Sequence, residues 1–395
     1  MDIEKKISHR LKSLGEYVFL GVAEAKKKAI QAGKDIIDLG GGNPDLPPHP
    51  KIVEALKREA DIPENHRHPL YEGIPELRKA ASQWMKRRFG VDIDPETEIL
   101  ILLGSKEGLA HISWAFIDPG DVALIPDPAY PAYEKGTVLA GGRVVFLPLL
   151  KQNSWLPDFG KITSKGLSKA KMMFLNYPNN PTGALADKDF LKKAVDFAKQ
   201  HELVICQDMA YSEITFDNRK SVSIFQIDGA KDNCLEFFSF SKTYGMTGWR
   251  LGFVVGNSKL IDALKKVEIS VNSGVFHVLQ KAAVVALSLE EEDIDRTRLT
   301  YQKRRDVLVE GLKNLGWEVE RPQGSIFVWA SPVGVKFAHD LDSRQIANLL
   351  IEKVGIITTP GVGLGSSGEG YLRFSLIANE ERLKEAIQRI KSLHM

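Results

Sequence analysis

Seven short apolar runs are spaced along the middle of the chain, and they constrain the possible folds more than any other feature of the sequence. Each run has the length and residue types of a buried strand, and several are separated by stretches with helical periodicity. The apolar runs are residues 99–103, 122–126, 144–149, 172–175, 203–206, 235–240 and 251–255, and the helical stretches include 105–116, 130–140 and 187–200. This alternation predicts an α/β fold in which helices cover both faces of a mostly parallel sheet.

The pattern changes after about residue 276, where long helices extend to about residue 315. Shorter apolar runs and a final helical stretch follow, at 317–320, 327–330, 356–358, 371–374 and 380–393. A chain of 395 residues usually exceeds what one hydrophobic core serves. We therefore predict a large domain at 45–285 and a smaller α+β domain formed by 1–44 and 286–395.

The charges are nearly balanced, with 53 Lys and Arg against 51 Asp and Glu and a net charge of +2. This balance gives no electrostatic reason to expect nucleic acid or a membrane surface as a partner. The first 15 residues lack the apolar core of a signal peptide, and no later segment approaches the ~20 apolar residues of a membrane span. We expect a cytoplasmic enzyme that acts on small molecules.

The cysteines and one histidine pair do not form a metal-binding pattern. Cys206 and Cys234 lie inside apolar runs, and their spacing suits neither metal nor redox chemistry, so we expect packed thiols. His66 and His68 form an isolated His-X-His in a proline-flanked loop, which is typically solvated. We predict no metal site.

Polar motifs directly follow several of the predicted strands. These motifs are Gly104-Ser105, Asn180, Asp208 and residues 239–242. Ligands of mostly parallel sheets bind near the carboxyl ends of the strands. We therefore expect these loops to line one cleft.

Residues 239–253, SFSKTYGMTGWRLGF, place Lys242 and Arg250 between two apolar runs. A desolvated lysine favours the neutral, nucleophilic amine, and a nearby guanidinium offers a planar fork for a phosphate. Taken alone, the segment is equally compatible with a surface lysine and a strand-edge arginine.

Three further motifs have a structural and a chemical interpretation. The stretch 176–183, NYPNNPTG, is either a tight surface loop or a means of presenting the Asn180 amide to a phenolate or a carboxylate. Asp208 is either a helix N-cap or the partner of a buried cation. Residues 104–108 either join a strand to a helix or hold a phosphate on backbone N–H groups.

Taken together, the motifs resemble the class I/II aminotransferases of fold type I, which use pyridoxal phosphate. The resemblance extends from about residue 11 to 389 and rests on Gly104-Ser105, NYPNNPTG, Asp208 with Tyr211, SFSKTYGMTGWRLGF and YLRFS at 371–375. Stretches such as LGGGNPDLP, GSKEGLAHI and SKTYGMTGWR are more similar still to LL-diaminopimelate aminotransferases. The implied fold has a mostly parallel seven-stranded sheet sandwiched by helices, plus a smaller α+β domain.

The resemblance also implies which residues bind the cofactor. Lys242 would hold the cofactor aldehyde and move a proton, Asp208 would pair with the pyridine nitrogen, and Tyr211 would act with them as a third catalytic residue. Tyr211 and Asn180 would hydrogen-bond the phenolic oxygen of the cofactor. The remaining implied contacts are stacking by Tyr130 and a phosphate site made by Ser105, Lys106, Ser239, Ser241 and Arg250.

Substrate and subunit contacts are implied in the same way. Arg373 would bind the substrate α-carboxylate with two hydrogen bonds, helped by the backbone at Gly42 and by Asn180. Tyr17 and Asn272 match positions that line the substrate pocket. Tyr71 matches a tyrosine that reaches the phosphate from the other subunit, which implies a homodimer with shared active sites.

The implied reaction is a ping-pong transfer of an α-amino group from an amino acid to a 2-oxo acid, with LL-diaminopimelate and 2-oxoglutarate favoured. The chain departs from that subfamily at Gly245, where asparagine is usual, and at His68, where an aromatic is common. Two alternatives are a broad alanine or aromatic aminotransferase and a pyridoxal-phosphate-dependent carbon–sulfur lyase. A DNA-binding regulator is disfavoured, because about 40 residues precede Gly42 and contain no recognisable helix-turn-helix.

Overall fold

The computed structural model of the protein describes residues 2–14 and 18–394, without the side chains of 18–23, 25 and 394. The strands are β1 (Ile37–Asp38), β2 (Ile99–Leu102), β3 (Val122–Asp127), β4 (Arg143–Pro148), β5 (Ala170–Asn176), β6 (Val204–Asp208), β7 (Cys234–Ser239), β8 (Gly252–Gly256), β9 (Glu318–Val319), β10 (Phe327–Ser331), β11 (Ile356–Ile357), β12 (Thr359–Pro360) and β13 (Leu372–Ser375). The α-helices are α1 (His9–Lys12), α2 (Val18–Gln31), α3 (Pro50–Ala60), α4 (Pro75–Phe89), α5 (Ser105–Phe116), α6 (Ala132–Ala140), α7 (Ser164–Leu167), α8 (Lys188–Gln200), α9 (Phe240–Thr243), α10 (Ser258–Val271), α11 (His277–Leu287), α12 (Glu291–Asn314), α13 (Ser343–Val354) and α14 (Glu380–Lys391).

The central sheet has seven strands in the order β2-β8-β7-β6-β5-β3-β4. Strand β8 is antiparallel to both of its neighbours, and the pairs from β7 through β4 are parallel. Successive side chains of a strand point to opposite faces, so a strand covered on both sides is apolar throughout. In β3, for example, Leu124 packs in a cluster with α8, whereas Ile125 packs in a cluster with α5 and α6. Helices therefore cover both faces of the sheet.

A second, antiparallel sheet is formed mainly by the C-terminal part of the chain, in the order β12-β13-β10-β9. It packs with residues of α12, α13 and α14 in one buried cluster. The N-terminal strand β1 pairs in parallel with β11, which brings residues 37–38 beside this sheet. Gly40, which follows β1, thereby lies next to Thr359 of β12 and Arg373 of β13.

The predicted α/β fold is confirmed, and each of the seven predicted strands coincides with a strand of the large sheet to within a few residues. The strand expected at 371–374 is β13 and the one at 356–358 is β11, whereas β1 and β12 were not predicted. The proposed division at residues 45 and 285 remains a prediction. Within the described ranges, no helix is long and apolar enough to cross a bilayer.

Candidate active site

The carboxyl ends of the parallel strands surround a cavity of about 680 Å³. This volume lies within the range of roughly 300–1,000 Å³ that is typical of small-molecule sites. Most of the residues predicted for the site line it: Gly42, Ser105, Lys106, Tyr130, Asn180, Asp208, Tyr211, Ser239, Ser241, Lys242, Arg250 and Arg373. The loops that follow β2, β3, β5, β6 and β7 supply most of these residues, as expected from the position of their motifs after the strands.

Lys242 lies in α9, the single helical turn that directly follows β7. Its ammonium donates a hydrogen bond to the carbonyl of Gly42 and lies 6.0 Å from the centre of the Tyr211 ring. Burial, together with the positive charges of Arg373 and Arg250, lowers the pKa of the Lys242 amine to about 8, although the charge of Asp208 acts to raise it. About a tenth of this amine is therefore neutral at pH 7, the form that a nucleophile or a base requires.

Asp208 ends β6 and is buried beneath the same cavity. Its carboxylate accepts hydrogen bonds from the Tyr133 hydroxyl at 2.7 Å and from the Ala210 backbone N–H at 3.0 Å. Burial raises the pKa of this carboxyl to about 6 although both hydrogen bonds and Lys242 act to lower it. A cation that enters the cavity stabilises such a carboxylate. Asp208 is therefore suited to pair with a buried cation, in addition to its contact with the backbone N–H of Ala210.

The loop after β5 connects the site to the smaller sheet. Asn176 accepts a hydrogen bond from the Asn180 backbone N–H at 2.8 Å and donates to the Asp208 carbonyl at 2.9 Å. The Asn180 side-chain oxygen accepts from Arg373 of β13 at 3.0 Å. Because its oxygen is engaged there, the Asn180 amide can donate through Nδ2 to an oxygen in the cavity.

Arg373 is buried, and the centre of its guanidinium lies 4.1 Å from the centre of the Phe327 ring. Its Nη2 donates to the Gly40 carbonyl at 2.9 Å and to the Thr359 hydroxyl at 3.2 Å. The stacked ring and the two anchors fix the plane of the guanidinium, which is the requirement for a two-bond contact with a carboxylate.

A cup for an anion is formed at the start of α5. Gly104 precedes the helix with φ of 89°, and a Cβ added there would lie 2.6 Å from Nη2 of Arg250. Arg250 donates to the Thr247 carbonyl at 2.9 Å, and the Ser239 hydroxyl accepts from the Ser241 backbone N–H at 3.2 Å. A helix N-terminus, hydroxyls and a guanidinium that converge in this way form a phosphate-binding arrangement.

Of the remaining predicted residues, Tyr71 and Asn272 do not line the cavity of their own chain, and Tyr17 cannot be placed. Tyr17 lies outside the described residues. Tyr71 is exposed and packs against His68, with 5.7 Å between the ring centres, outside the cavity lining. Asn272 donates to Glu107 at 3.1 Å and to Glu268, which places it behind α5 and outside the cavity lining of its own chain. Their roles remain predictions.

The contacts of Asn272 belong to a cluster that sequence analysis did not single out. Glu107, His111 and Glu268 bring potential metal-ligand atoms within 4.8 Å of one another. His111 is 3.0 Å from Glu268, and burial together with the charge of Glu268 raises the pKa of Glu107. We predicted no metal from the sequence, and internal hydrogen bonds of this kind do not by themselves define a metal site.

Several residues of the site were not predicted. They are Tyr133 against Asp208, and Lys26, Asp38, Gly40, Gly41, Asn43, Asn176, Ala210, Thr247 and Phe327 in the cavity lining. Asn176 and Thr247 lie inside motifs that were recognised, so their positions gave a usable signal. Tyr133 and Phe327 carried none, because a buried aromatic in a helix or a strand is ordinary core composition.

The two departures from the subfamily have local explanations. Gly245 has φ of 67°, and a Cβ there would lie 2.6 Å from the Leu46 carbonyl oxygen, so the surrounding backbone in this chain requires glycine. His68 makes an edge contact with Tyr71 and so keeps a planar ring beside that tyrosine.

Comparison with known proteins shows the family of the chain. The family described as aminotransferase class I and II matches residues 34–390. The chain is 46% identical to an LL-diaminopimelate aminotransferase of Dehalococcoides mccartyi over 385 residues, covering 98% of each protein. It is also 46% identical to an LL-diaminopimelate aminotransferase of Aquifex aeolicus over 390 residues, covering 99% of this chain and 100% of the relative.

Solved structures agree at the level of the fold. Substrate-bound BacF from Bacillus subtilis superposes with a TM-score of 0.94 at 39% identity, covering 98% of both chains. A probable N-succinyldiaminopimelate aminotransferase from Thermus thermophilus superposes with a TM-score of 0.89 at 32% identity, covering 95% of this chain and 100% of that one. Fold and site thus define a pyridoxal-phosphate-dependent transferase of fold type I. The chain belongs to the class I and II aminotransferase family, so it is a transaminase acting on amino and 2-oxo acids.

The residues of the cavity fit pyridoxal phosphate. The cofactor requires an amine, a buried anion and a phosphate site, which Lys242, Asp208 and the cup around Arg250 provide. The raised pKa of Asp208 is the clearest sign, since a cationic ring nitrogen would relieve the cost of a buried carboxylate.

Proposed function

We propose that this transaminase moves the amino group of LL-diaminopimelate to 2-oxoglutarate by a ping-pong mechanism, in lysine biosynthesis. The observation that carries the proposal is near-complete alignment at 44–46% identity with proteins named LL-diaminopimelate aminotransferase. The cavity supports it, because the alignment is accompanied by a buried lysine, aspartate and arginine in one site.

Lys242 is the proposed base. Pyridoxal phosphate, when bound, withdraws electrons from the substrate α-carbon and carries the amino group between the half-reactions. The Lys242 amine would hold the cofactor aldehyde and, as a free amine, would take the proton from the substrate α-carbon. Its lowered pKa, about 8, allows it to accept and return that proton near neutral pH.

Asp208, Tyr211, Asn180 and Tyr130 are proposed to set the cofactor ring. Asp208 holds the ring nitrogen in its protonated form, and Tyr133 fixes the carboxylate by its hydrogen bond of 2.7 Å. Tyr211 and Asn180 donate to the phenolic oxygen, and Tyr130 stacks on the ring face. Burial raises the pKa of the Tyr211 hydroxyl well above its usual value, so it remains a donor.

The two ends of the bound molecules are proposed to be held by opposite sides of the cavity. The phosphate contacts Ser105, Lys106, Ser239, Ser241 and Arg250. The substrate α-carboxylate contacts Arg373, with help from Asn180 and the Gly42 backbone. Tyr17 and Asn272 contribute to the pocket wall.

A homodimer is proposed, with Tyr71 reaching the phosphate of the partner subunit. The proposal is supported by large apolar side chains that remain exposed on or beside one face. This face is formed by α5, α10 and the segments around residues 70 and 276. The exposed side chains are Leu70, Tyr71, Trp114, Ile269, Val271 and Phe276. An exposed apolar surface of this kind is typical of a subunit interface. We propose a cytoplasmic location, since the reaction consumes soluble metabolites.

A single-turnover screen tests the proposal. The holoenzyme is mixed separately with LL-diaminopimelate, meso-diaminopimelate, glutamate, alanine, aspartate and phenylalanine, and conversion of aldehyde cofactor to amine is followed by absorbance. Rapid conversion by LL-diaminopimelate and glutamate, with little by the others, supports the assignment. Lys242→Ala is the control that must abolish every signal.

The other outcomes separate the alternatives. Conversion by alanine or phenylalanine without LL-diaminopimelate assigns the enzyme to general amino-acid metabolism. A sulfur amino acid added to the panel tests the lyase alternative: release of ammonia and a thiol from it, without formation of amine cofactor, assigns carbon–sulfur lyase chemistry.

A further inference from the structure

The ion pair between Lys26 and Asp38 lies in the lining of the active-site cavity, and no step described above uses it. Lys26 Nζ is 2.8 Å from Asp38 Oδ2. Their side chains are 43% and 29% exposed, so both are accessible from the cavity. Lys26 belongs to the N-terminal helix α2, and Asp38 ends β1.

Asp38 also fixes the backbone that follows it. Its Oδ1 accepts hydrogen bonds from the backbone N–H groups of Gly40 at 3.0 Å and Gly41 at 3.3 Å. The two oxygens of one carboxylate are therefore divided, with Oδ1 on the glycine segment and Oδ2 on helix α2. Hydrogen bonds to an ionised acceptor are stronger than neutral ones.

The glycine segment in turn holds two residues of the reaction. The Gly40 carbonyl accepts from Arg373 at 2.9 Å and from the Thr359 hydroxyl at 2.8 Å. The Gly42 carbonyl accepts from Lys242. The glycine segment also packs closely against its neighbours: a Cβ on Gly40 would lie 2.9 Å from Ile357, and one on Gly42 would lie 3.3 Å from Phe327. A small rotation of this segment therefore moves the anchors of both residues.

We infer that Asp38 is a positioning residue of this transaminase and that Lys26 couples helix α2 to it. Asp38 acts on Arg373 and Lys242 through the carbonyls of Gly40 and Gly42. Lys26 links the same carboxylate to α2, so the docking of the N-terminal helix and the geometry of the carboxylate-binding arginine depend on one another. The inference rests on the proposed contact of Arg373 with the substrate α-carboxylate.

Substitutions separate the two halves of the carboxylate. Asp38→Ala removes both sets of contacts, whereas Asp38→Asn keeps an oxygen for the glycine N–H groups and loses the charge that holds Lys26. Lys26→Met removes only the ion pair. Two matched controls are Asp35→Ala, in the segment leading into β1 but paired with Arg382 and Arg389, and Lys28→Met, an exposed lysine of the same helix.

Steady-state kinetics of the holoenzyme and amide hydrogen exchange of residues 18–31 are the two measurements. D38A is expected to raise KM for every amino acid substrate about tenfold, the size of one weakened hydrogen bond to a charged group, with a smaller change in kcat. D38N, which keeps the acceptor without its charge, should raise KM less than D38A does. D38N and K26M should both speed exchange in α2 by about two- to fivefold, as expected for a partly exposed ion pair.

Two results overturn the inference: a KM for D38A equal to that of D35A, or α2 exchange in D38N and K26M equal to that in K28M. If D38A does not yield folded holoenzyme, Asp38→Ser, which keeps one short acceptor, replaces it with an intermediate rise in KM expected. Arg373→Lys separates this inference from the proposed function. A rise in KM in that variant without one in D38A removes only the role of Asp38, whereas no rise in either removes the assignment of Arg373.

Discussion

Asp208 combines burial with a negative charge, and the two have opposite effects on stability. Its folded-state pKa of about 6 lies above the ordinary value of 3.8, so the folded protein holds this proton more tightly than the unfolded chain. Stability of the cofactor-free protein therefore falls as pH rises from about 4 to about 6, and the loss is complete above that range. The catalytic requirement for a carboxylate is met at the expense of the apoprotein.

We expect Asp208→Asn to stabilise the cofactor-free protein by roughly 1–3 kcal/mol at pH 8, since it removes a buried charge, and by much less at pH 4. The same variant should bind pyridoxal phosphate more weakly, because a neutral amide does not pair with a cationic ring nitrogen. Urea unfolding of the apoprotein at both pH values measures the first effect. A variant that is less stable than wild type at pH 8 would contradict it.

The guanidinium of Arg373 is held by hydrogen bonds to Asn180, Gly40 and Thr359 and lies over the Phe327 ring. Arg373→Lys should raise KM for all amino acids by about ten- to a hundredfold with a smaller effect on kcat, because lysine keeps the charge but loses the planar fork. Kinetics with a panel of amino acids check this. An unchanged KM across the panel would remove Arg373 from carboxylate binding.

At the residue scale, the sequence was informative where a chemical group has few ordinary uses in its setting. Lys242 and Arg250 between apolar runs, and Asn180 in a proline-rich turn, were recognisable and lie in one cavity. Tyr133 was not recognisable, because its partner Asp208 is distant in sequence. Asp38 was not recognisable, because the glycine segment that it fixes meets Arg373 and Lys242 only in the fold.

At the scale of elements, the strands of the large sheet were predictable because burial on both faces leaves continuous apolar runs. The two-residue strands β1 and β12 carry no periodicity, and their pairing depends on the approach of distant segments. The large sheet, which carries most of the site residues, could therefore be predicted from the sequence. The Gly40 and Gly42 carbonyls after β1, which accept from Arg373 and Lys242, could not.

The turn between β2 and α5 provides a test at this scale. Gly104→Ala forces a Cβ to within 2.6 Å of Nη2 of Arg250 at a positive φ. We expect the dissociation constant of pyridoxal phosphate to rise about tenfold or more, since the guanidinium must leave the phosphate cup.

Fluorescence titration of the apoprotein with the cofactor measures this effect. Gly120→Ala is the matched control, because its φ is 99° and a Cβ there meets nothing within 4 Å. Equal affinities in the two variants would contradict the prediction, because they would show that a Cβ at residue 104 does not disturb the contact of Arg250 with the phosphate.

At the scale of the whole molecule, the cavity of one chain is lined by most of the predicted site residues, but not by Tyr71 or Asn272. Tyr71 and Asn272 lie on the face that carries the exposed apolar residues and away from the cavity of their own chain. In the proposed two-fold dimer each contact is repeated in both directions, so that Tyr71 of each chain would reach the site of the other. The proposed dimer predicts that defects in Tyr71 and Lys242 fall in the same site when they are on different chains, and in different sites when they are on one chain.

Subunit mixing tests that prediction. Lys242→Ala and Tyr71→Ala chains are unfolded together in equal amounts and allowed to reassociate. If Tyr71 acts on the partner's site, each hybrid dimer has one site with both defects and one with neither, so random pairing restores about a quarter of wild-type activity. Lys242→Ala mixed with Asp208→Asn is the control and should restore none, because both residues act within one chain. Failure of the Tyr71→Ala mixture to exceed the control, with hybrids verified by mass spectrometry, would place Tyr71 outside the partner's site.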